Sequence, residues 1–215
     1  MIRSRTGTIR RLLRAAALVA VVAGIPASSL AAEILLNTDP FAGSTALTTP
    51  GRQIVGGEPF ISFDLAADSF LIDLAAFGPY GFGTPLSLAN GEISGIPTSG
   101  ANIIVLRTFD NDGDPATPFG AGSAATLIAN TVTSPGAGFF IYFNQGLNLP
   151  RLVFSTDLDS SDADLKIIAR FTNMVGGQAL LSDFNAANFQ AVPEPGTALL
   201  LVTGMALAWR RRVRS

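Results

Sequence analysis

"GFFIYFNQGLNLPRLVFSTDLDSSDADLKIIARF", Gly138 to Phe171, holds three short apolar runs separated by turn-forming residues. The runs "GFFIYFN", "RLVFST" and "LKIIARF" are rich in Ile, Val and Phe, whose branched or aromatic side chains suit a pleated surface. Gly, Asn, Pro and Asp bound them, as they bound β-strands. In the third run Leu165, Ile167, Ala169 and Phe171 alternate with Lys166, Ile168 and Arg170, the period of a strand with one buried face.

The same texture continues upstream in "FISFDL", "SFLIDLAAF" and "NIIVLRTF". In the first, Ile61, Phe63 and Leu65 share one side with Ser62 and Asp64 opposite, so Phe60 faces away from Phe63. "FDLAAD" and "IDLAAF" read as strand-to-turn transitions. Two segments are expected to be helical: Gly120–Asn130, with Ser123 as N-cap, and Gln178–Phe189, a short helix or else a last strand with an irregular tail. The expected fold is mainly β, a single antiparallel, jelly-roll-like β-sandwich over residues 32–190 with one or two short helices. The 22 glycines and 13 prolines supply its turns.

Charge is segregated along the chain. Of the 14 basic residues only Arg52, Arg107, Arg151, Lys166 and Arg170 lie in the body, and all 16 acidic residues fall between Glu33 and Glu194. A body so acidic repels phosphate backbones, which excludes nucleic acid as a partner. The chain has no cysteine and no histidine. Disulfides, thiol nucleophiles, histidine acid–base chemistry and Cys/His metal sites are therefore excluded.

The remaining arginines mark the two ends. Arg3, Arg5, Arg10, Arg11 and Arg14 precede "AAALVAVVAGI", Ala15 to Ile25, which is too short to span a bilayer comfortably. Pro26 and the small residues of "SSLAAE" follow, with Ser29 and Ala31 at the −3 and −1 positions. Residues 1–31 are thus expected to be a secretory signal helix, cut after Ala31 or, one residue later, after Ala32. At the other end the uncharged run Thr197–Trp209 makes a helix of ~20 Å against a hydrocarbon core of ~30 Å. Trp209 suits the interface, and Arg210, Arg211, Arg212 and Arg214 hold the cytoplasmic side as a membrane stop. The two prolines of "PEP" stop the helix from extending upstream.

Val192-Pro193-Glu194-Pro195, the short apolar helix and the arginine cluster together resemble the PEP-CTERM sorting signal of Gram-negative bacteria. The likeness covers residues 191–215 and matches in order and spacing. It implies export, a transient stay in the inner membrane through a C-terminal transmembrane helix, and recognition of the Pro193-Glu194-Pro195 motif by exosortase. Signal peptidase and exosortase are then the processing partners, and the destination is the cell surface or the extracellular, exopolysaccharide-associated matrix of a biofilm. The stretch from Gly136 to Asn173 is similar to a segment of some such proteins, without bringing an activity.

Little in the body carries chemistry. "DNDGD" sets Asp110, Asp112 and Asp114 at alternate positions, the opening of a calcium loop, but Pro115 replaces the glycine and Ala121 the closing glutamate of an EF-hand. Calcium is the only ion these residues suggest, and no cofactor is expected. "DLDSSDAD" adds Asp157, Asp159, Asp162 and Asp164. Phe77, Tyr80 and Phe82 read as core packing or as a sugar-binding shelf. The expectation is a non-enzymatic structural body; the alternatives are a calcium- or carbohydrate-binding module, then a polysaccharide hydrolase using two carboxylates.

Overall fold

The computed structural model describes residues 31–192, apart from Asn111 and Pro115. The expected signal helix and transmembrane helix lie outside the described residues. Among those described, no helix is long and apolar enough to cross a membrane.

The chain is mainly strands in sheets with a few short helices. In order they are β1 (Glu33–Leu36), β2 (Ile54–Val55), β3 (Phe60–Ile61), β4 (Ser69–Asp73), α1 (Leu74–Phe77), β5 (Leu88–Gly91) and β6 (Ile103–Leu106). Then come α2 (Ala121–Ala129), β7 (Gly138–Asn144), β8 (Leu149–Ser155), β9 (Leu165–Phe171) and β10 (Phe189–Val192). Short 3₁₀ turns fill several connections, among them Gln178–Asp183 and Ala186–Asn188.

Two sheets form. A three-stranded sheet has the order β1-β4-β10, so the first and last described strands flank β4. A seven-stranded sheet runs β2-β9-β8-β7-β6-β5, with β3 also on β9. Antiparallel pairing, expected throughout, holds for β7–β8 and β8–β9. Every other ladder is parallel. The antiparallel partners follow one another directly in the chain, whereas strands paired in parallel are separated by longer crossovers, one of which carries α2 between β6 and β7.

One core contains Phe70 and Ile72 of β4 together with Ile103, Val105, Phe139, Ile141, Leu152 and Phe154 of the large sheet. Its phenylalanines pack edge to face and stacked: Phe63 lies 4.8 Å from Phe70, and Phe139 and Phe154 are each 5.0 Å from Phe77. Burying each such ring contributes about 1.5–3 kcal/mol. The opposite face of the large sheet forms a second core under Ala124, Ala125 and Ile128 of α2. All seven residues of β7 are consequently buried, whereas one-sided burial would have left alternate ones wet.

β9 shows the expected alternation, with Leu165, Ile167, Ala169 and Phe171 buried and the residues between them half-buried. They do not share a face. Leu165 and Ile167 belong to the core under α2, Ala169 and Phe171 to the phenylalanine core. The ladder explains the switch, because Leu152 pairs with Ala169 but the next residue, Val153, pairs with Ile167. Ile168 is the extra residue of a β-bulge, which inverts the side-chain phase of everything after it.

Other expectations are refined locally. The helix of the Gly120–Asn130 segment begins one turn ahead of Ser123, with Gly120 as N-cap and no side-chain cap. Gln178–Phe189 becomes two 3₁₀ turns leading into β10. Phe63 is buried with Ile61 and Leu65 packed beside it, while Phe60 is 66% exposed under the Arg170 guanidinium.

Candidate functional site

The parallel order of the three-stranded sheet brings the carboxyl ends of β1 and β4 together. Just beyond them lies a cleft of about 290 Å³ lined by Asn37, Asp39, Asp73 and Tyr80, with Ala75, Ala76 and Pro79. Open parallel sheets commonly bind ligands at this end of their strands. Asp73 ends β4 and caps α1, its Oδ1 accepting the Ala75 N–H at 2.9 Å. The Tyr80 hydroxyl donates to Asp39 Oδ1 at 2.5 Å, which also accepts the Phe41 N–H at 2.9 Å. Partial burial, then the hydrogen bond to Asp39 and its charge, push the Tyr80 phenol up to about 12. The cleft thus offers a protonated phenol, an aromatic face, two carboxylates and an amide. Of the aromatics marked by sequence, only Tyr80 takes part; Phe77 and Phe82 are core residues.

A second polar cluster lies on the large sheet. The Glu58 side chain is 2% exposed and pairs with Arg151 and Arg170 from β8 and β9. Burial alone would push its carboxyl up, but the hydrogen bonds from Arg151 and Arg170 dominate and hold it at about 2. Burial pulls the Arg151 guanidinium down, and its interactions with Glu58 and Tyr142 together outweigh this, leaving it raised. Asn144 donates to the Tyr142 hydroxyl at 2.9 Å beside the pair. Lys166 donates to the Gly56 carbonyl at 2.7 Å. This cluster clips the β2–β3 segment onto the sheet and leaves no carboxylate free for chemistry. The signal for it was two arginines inside strands, since a cation there needs a partner.

Most carboxylates of the acidic loops accept backbone N–H groups, those of the first loop from the loop itself. Asp110 Oδ1 accepts the N–H groups of Asp112 and Gly113 at 3.1 and 2.8 Å. Asp112 Oδ1 accepts from Asp114 at 2.9 Å, and its Oδ2 accepts the Thr117 hydroxyl at 2.7 Å. That hydroxyl bond, first among several, lowers the Asp112 carboxyl. Asp114 Oδ1 accepts from Ala116 at 2.8 Å. In the second loop Asp157 accepts from Gly136, while Asp164 accepts from Gln53 and Leu47 at 2.6 and 2.7 Å. Among the described residues, no three acidic side chains gather as a metal site.

The residues expected to direct processing lie partly within the described chain. Ala31 and Ala32 are exposed just before β1, and Val192 ends β10 opposite Asp73. Pro193, Glu194, Pro195, Trp209, Arg210, Arg211, Arg212 and Arg214 lie outside the described residues. Compared with protein-family models, curated proteins and solved structures, the chain has no match.

Proposed function

We propose that this is an exported surface- or matrix-associated protein, delivered by a cleavable signal and a PEP-CTERM-like tail handled by exosortase. The β-rich domain is the mature, structural and non-enzymatic part, its two sheets forming a sandwich around the phenylalanine core. Its parallel ladders argue against jelly-roll connectivity. The observation that supports export best is the placement of the outermost strands. β1 starts at Glu33, directly after the signal boundary, and β10 ends at Val192, directly before Pro193. Cuts after Ala31 and at Pro193–Pro195 therefore take no residue from either sheet.

Intact-mass measurement of the protein from a host with and without exosortase tests this. The expected product has lost the amino-terminal signal and, only with exosortase, gains a new carboxyl end near Pro193–Pro195. Full-length protein ending in Ser215 outside the inner membrane would overturn the reading.

The cleft favours a second reading, binding of exopolysaccharide, because Tyr80 offers a stacking face beside the hydrogen-bonding groups of Asn37, Asp39 and Asp73. Calcium belongs to that reading through Asp110, Asp112 and Asp114. Calorimetric titration with oligosaccharides, with and without calcium, decides it: Tyr80→Ala should abolish any heat of binding that the cleft produces.

A further inference from the structure

We propose that export cuts the Ala31–Ala32 bond and that Asp68 is the built-in counter-ion for the α-ammonium this cut creates. The proposal rests on the export reading and adds to it the scissile bond and the receiving group.

Ala32 is held on both sides of its backbone. Its N–H donates to Asp68 Oδ1 at 2.7 Å, and its carbonyl accepts the Ser69 N–H at 3.0 Å. Asp68 is 8% exposed, and its other oxygen accepts the Asp64 N–H at 2.8 Å. Asn188, from the turn before β10, donates to the Asp68 carbonyl at 2.9 Å and fixes it from the far side. Both ion pairs found among the described residues belong to Glu58, so the donors that meet the Asp68 carboxylate are neutral backbone groups. A nearly buried carboxylate with only neutral donors gains most from a cation.

Hydrolysis supplies that cation in place. Water adds to the Ala31 carbonyl and the C–N bond breaks. Ala31 departs with the signal as a carboxylate that carries the water oxygen, and the Ala32 nitrogen keeps its position and takes both water protons, becoming the α-ammonium. That nitrogen already lies at bonding distance from Asp68, so the pair forms without rearrangement. A cut one residue later would discard the atom Asp68 holds. Among the described residues, the charged groups around it are Glu33 on β1 and Asp64 and Asp68 on the turn before β4. The neighbouring Ser69, Asn188 and Gln190 are uncharged. These carboxylates favour the ammonium.

The test is made on the full chain expressed in a secreting Gram-negative host. Intact mass of the exported fraction gives the amino terminus. Acylation across a pH series, read by peptide mass spectrometry, gives the reactivity of its amine, with Lys166, the chain's single lysine, as internal reference. The expected protein begins at Ala32. Its α-amine should titrate about one unit above the usual ~8, which makes labelling at pH 7 about tenfold slower, and Asp68→Asn should restore the ordinary rate. A start at Glu33, or an Ala32 amine that labels at the ordinary rate in the unmodified sequence, would overturn the proposal. The second result needs no variant and stands even if Asp68→Asn does not fold. Exported protein beginning elsewhere overturns this proposal alone, whereas cytoplasmic protein retaining Met1 overturns the export reading with it.

Discussion

Glu58 shows how one buried carboxylate ties three strands. Its folded value of about 2 lies below the ordinary 4.5, so its contribution is present above pH 4.5 and is lost as pH falls towards 2. Thermal melts should therefore show the melting temperature dropping between about pH 5 and pH 2. Glu58→Gln should start about 3 kcal/mol less stable, because two arginines lose their anion, and should show a flatter acid limb. Gly138 illustrates a different constraint. A Cβ there would sit 2.4 Å from Leu158 Cδ1 and 2.7 Å from the Asn102 carbonyl, which already receives the Phe139 N–H. Leu158 can turn aside and the carbonyl cannot. Gly138→Ala should cost about 2 kcal/mol in urea unfolding. In sequence this glycine reads as a turn residue; the close approach that requires it comes from a chain segment far upstream, which no local pattern records.

At the scale of elements, the strands were legible and their partners were not. Ile, Val and Phe between turn residues mark β6, β7, β8 and β9, because side-chain shape acts locally. The direction of a ladder depends on where a crossover lands, so the parallel pairs left no local trace. β7 hides its surroundings for a related reason: an unbroken apolar run fits any strand covered on both faces. β9 is the instructive case. Its regular alternation is real, yet the bulge at Ile168 sends the two halves to opposite cores. Deleting Ile168 would remove the extra residue, making Val153–Ile167 and Leu152–Ala169 successive pairs, so Ala169 and Phe171 would keep their places in the phenylalanine core. The deletion should therefore preserve cooperative urea unfolding without raising dye binding to exposed apolar surface, as retained packing does. Of the cleft, Tyr80 was visible as an aromatic among glycines. Asp39 and Asp73 were not, being two of 16 acids brought together only by the parallel register of β1 and β4.

For the whole molecule, the decisive arrangement is a sheet whose outer strands come from opposite ends of the domain. Phe189 of β10 stacks 5.9 Å from Phe70, and Phe184 just before it lies 5.5 Å from Phe171. A chain stopped after Val192 should melt within about 2 °C of one carrying the tail, since every described residue of both cores would remain. Stopping before Phe189 strips one side of β4 and should lower the melting temperature by more than 10 °C, an effect of about 3 kcal/mol or more for a domain of this size. Both follow from circular dichroism melts. The order of synthesis gives this sheet a further meaning. A chain is synthesised from its amino end, so β1 and β4 can meet early, while the other edge of β4 waits for the last described strand. Until that strand arrives, Asn188 cannot bind the Leu65 and Asp68 carbonyls, and the turn beside the amino terminus is held from one side only. The small sheet thus acts as a completion latch, closing only once the whole domain has been synthesised.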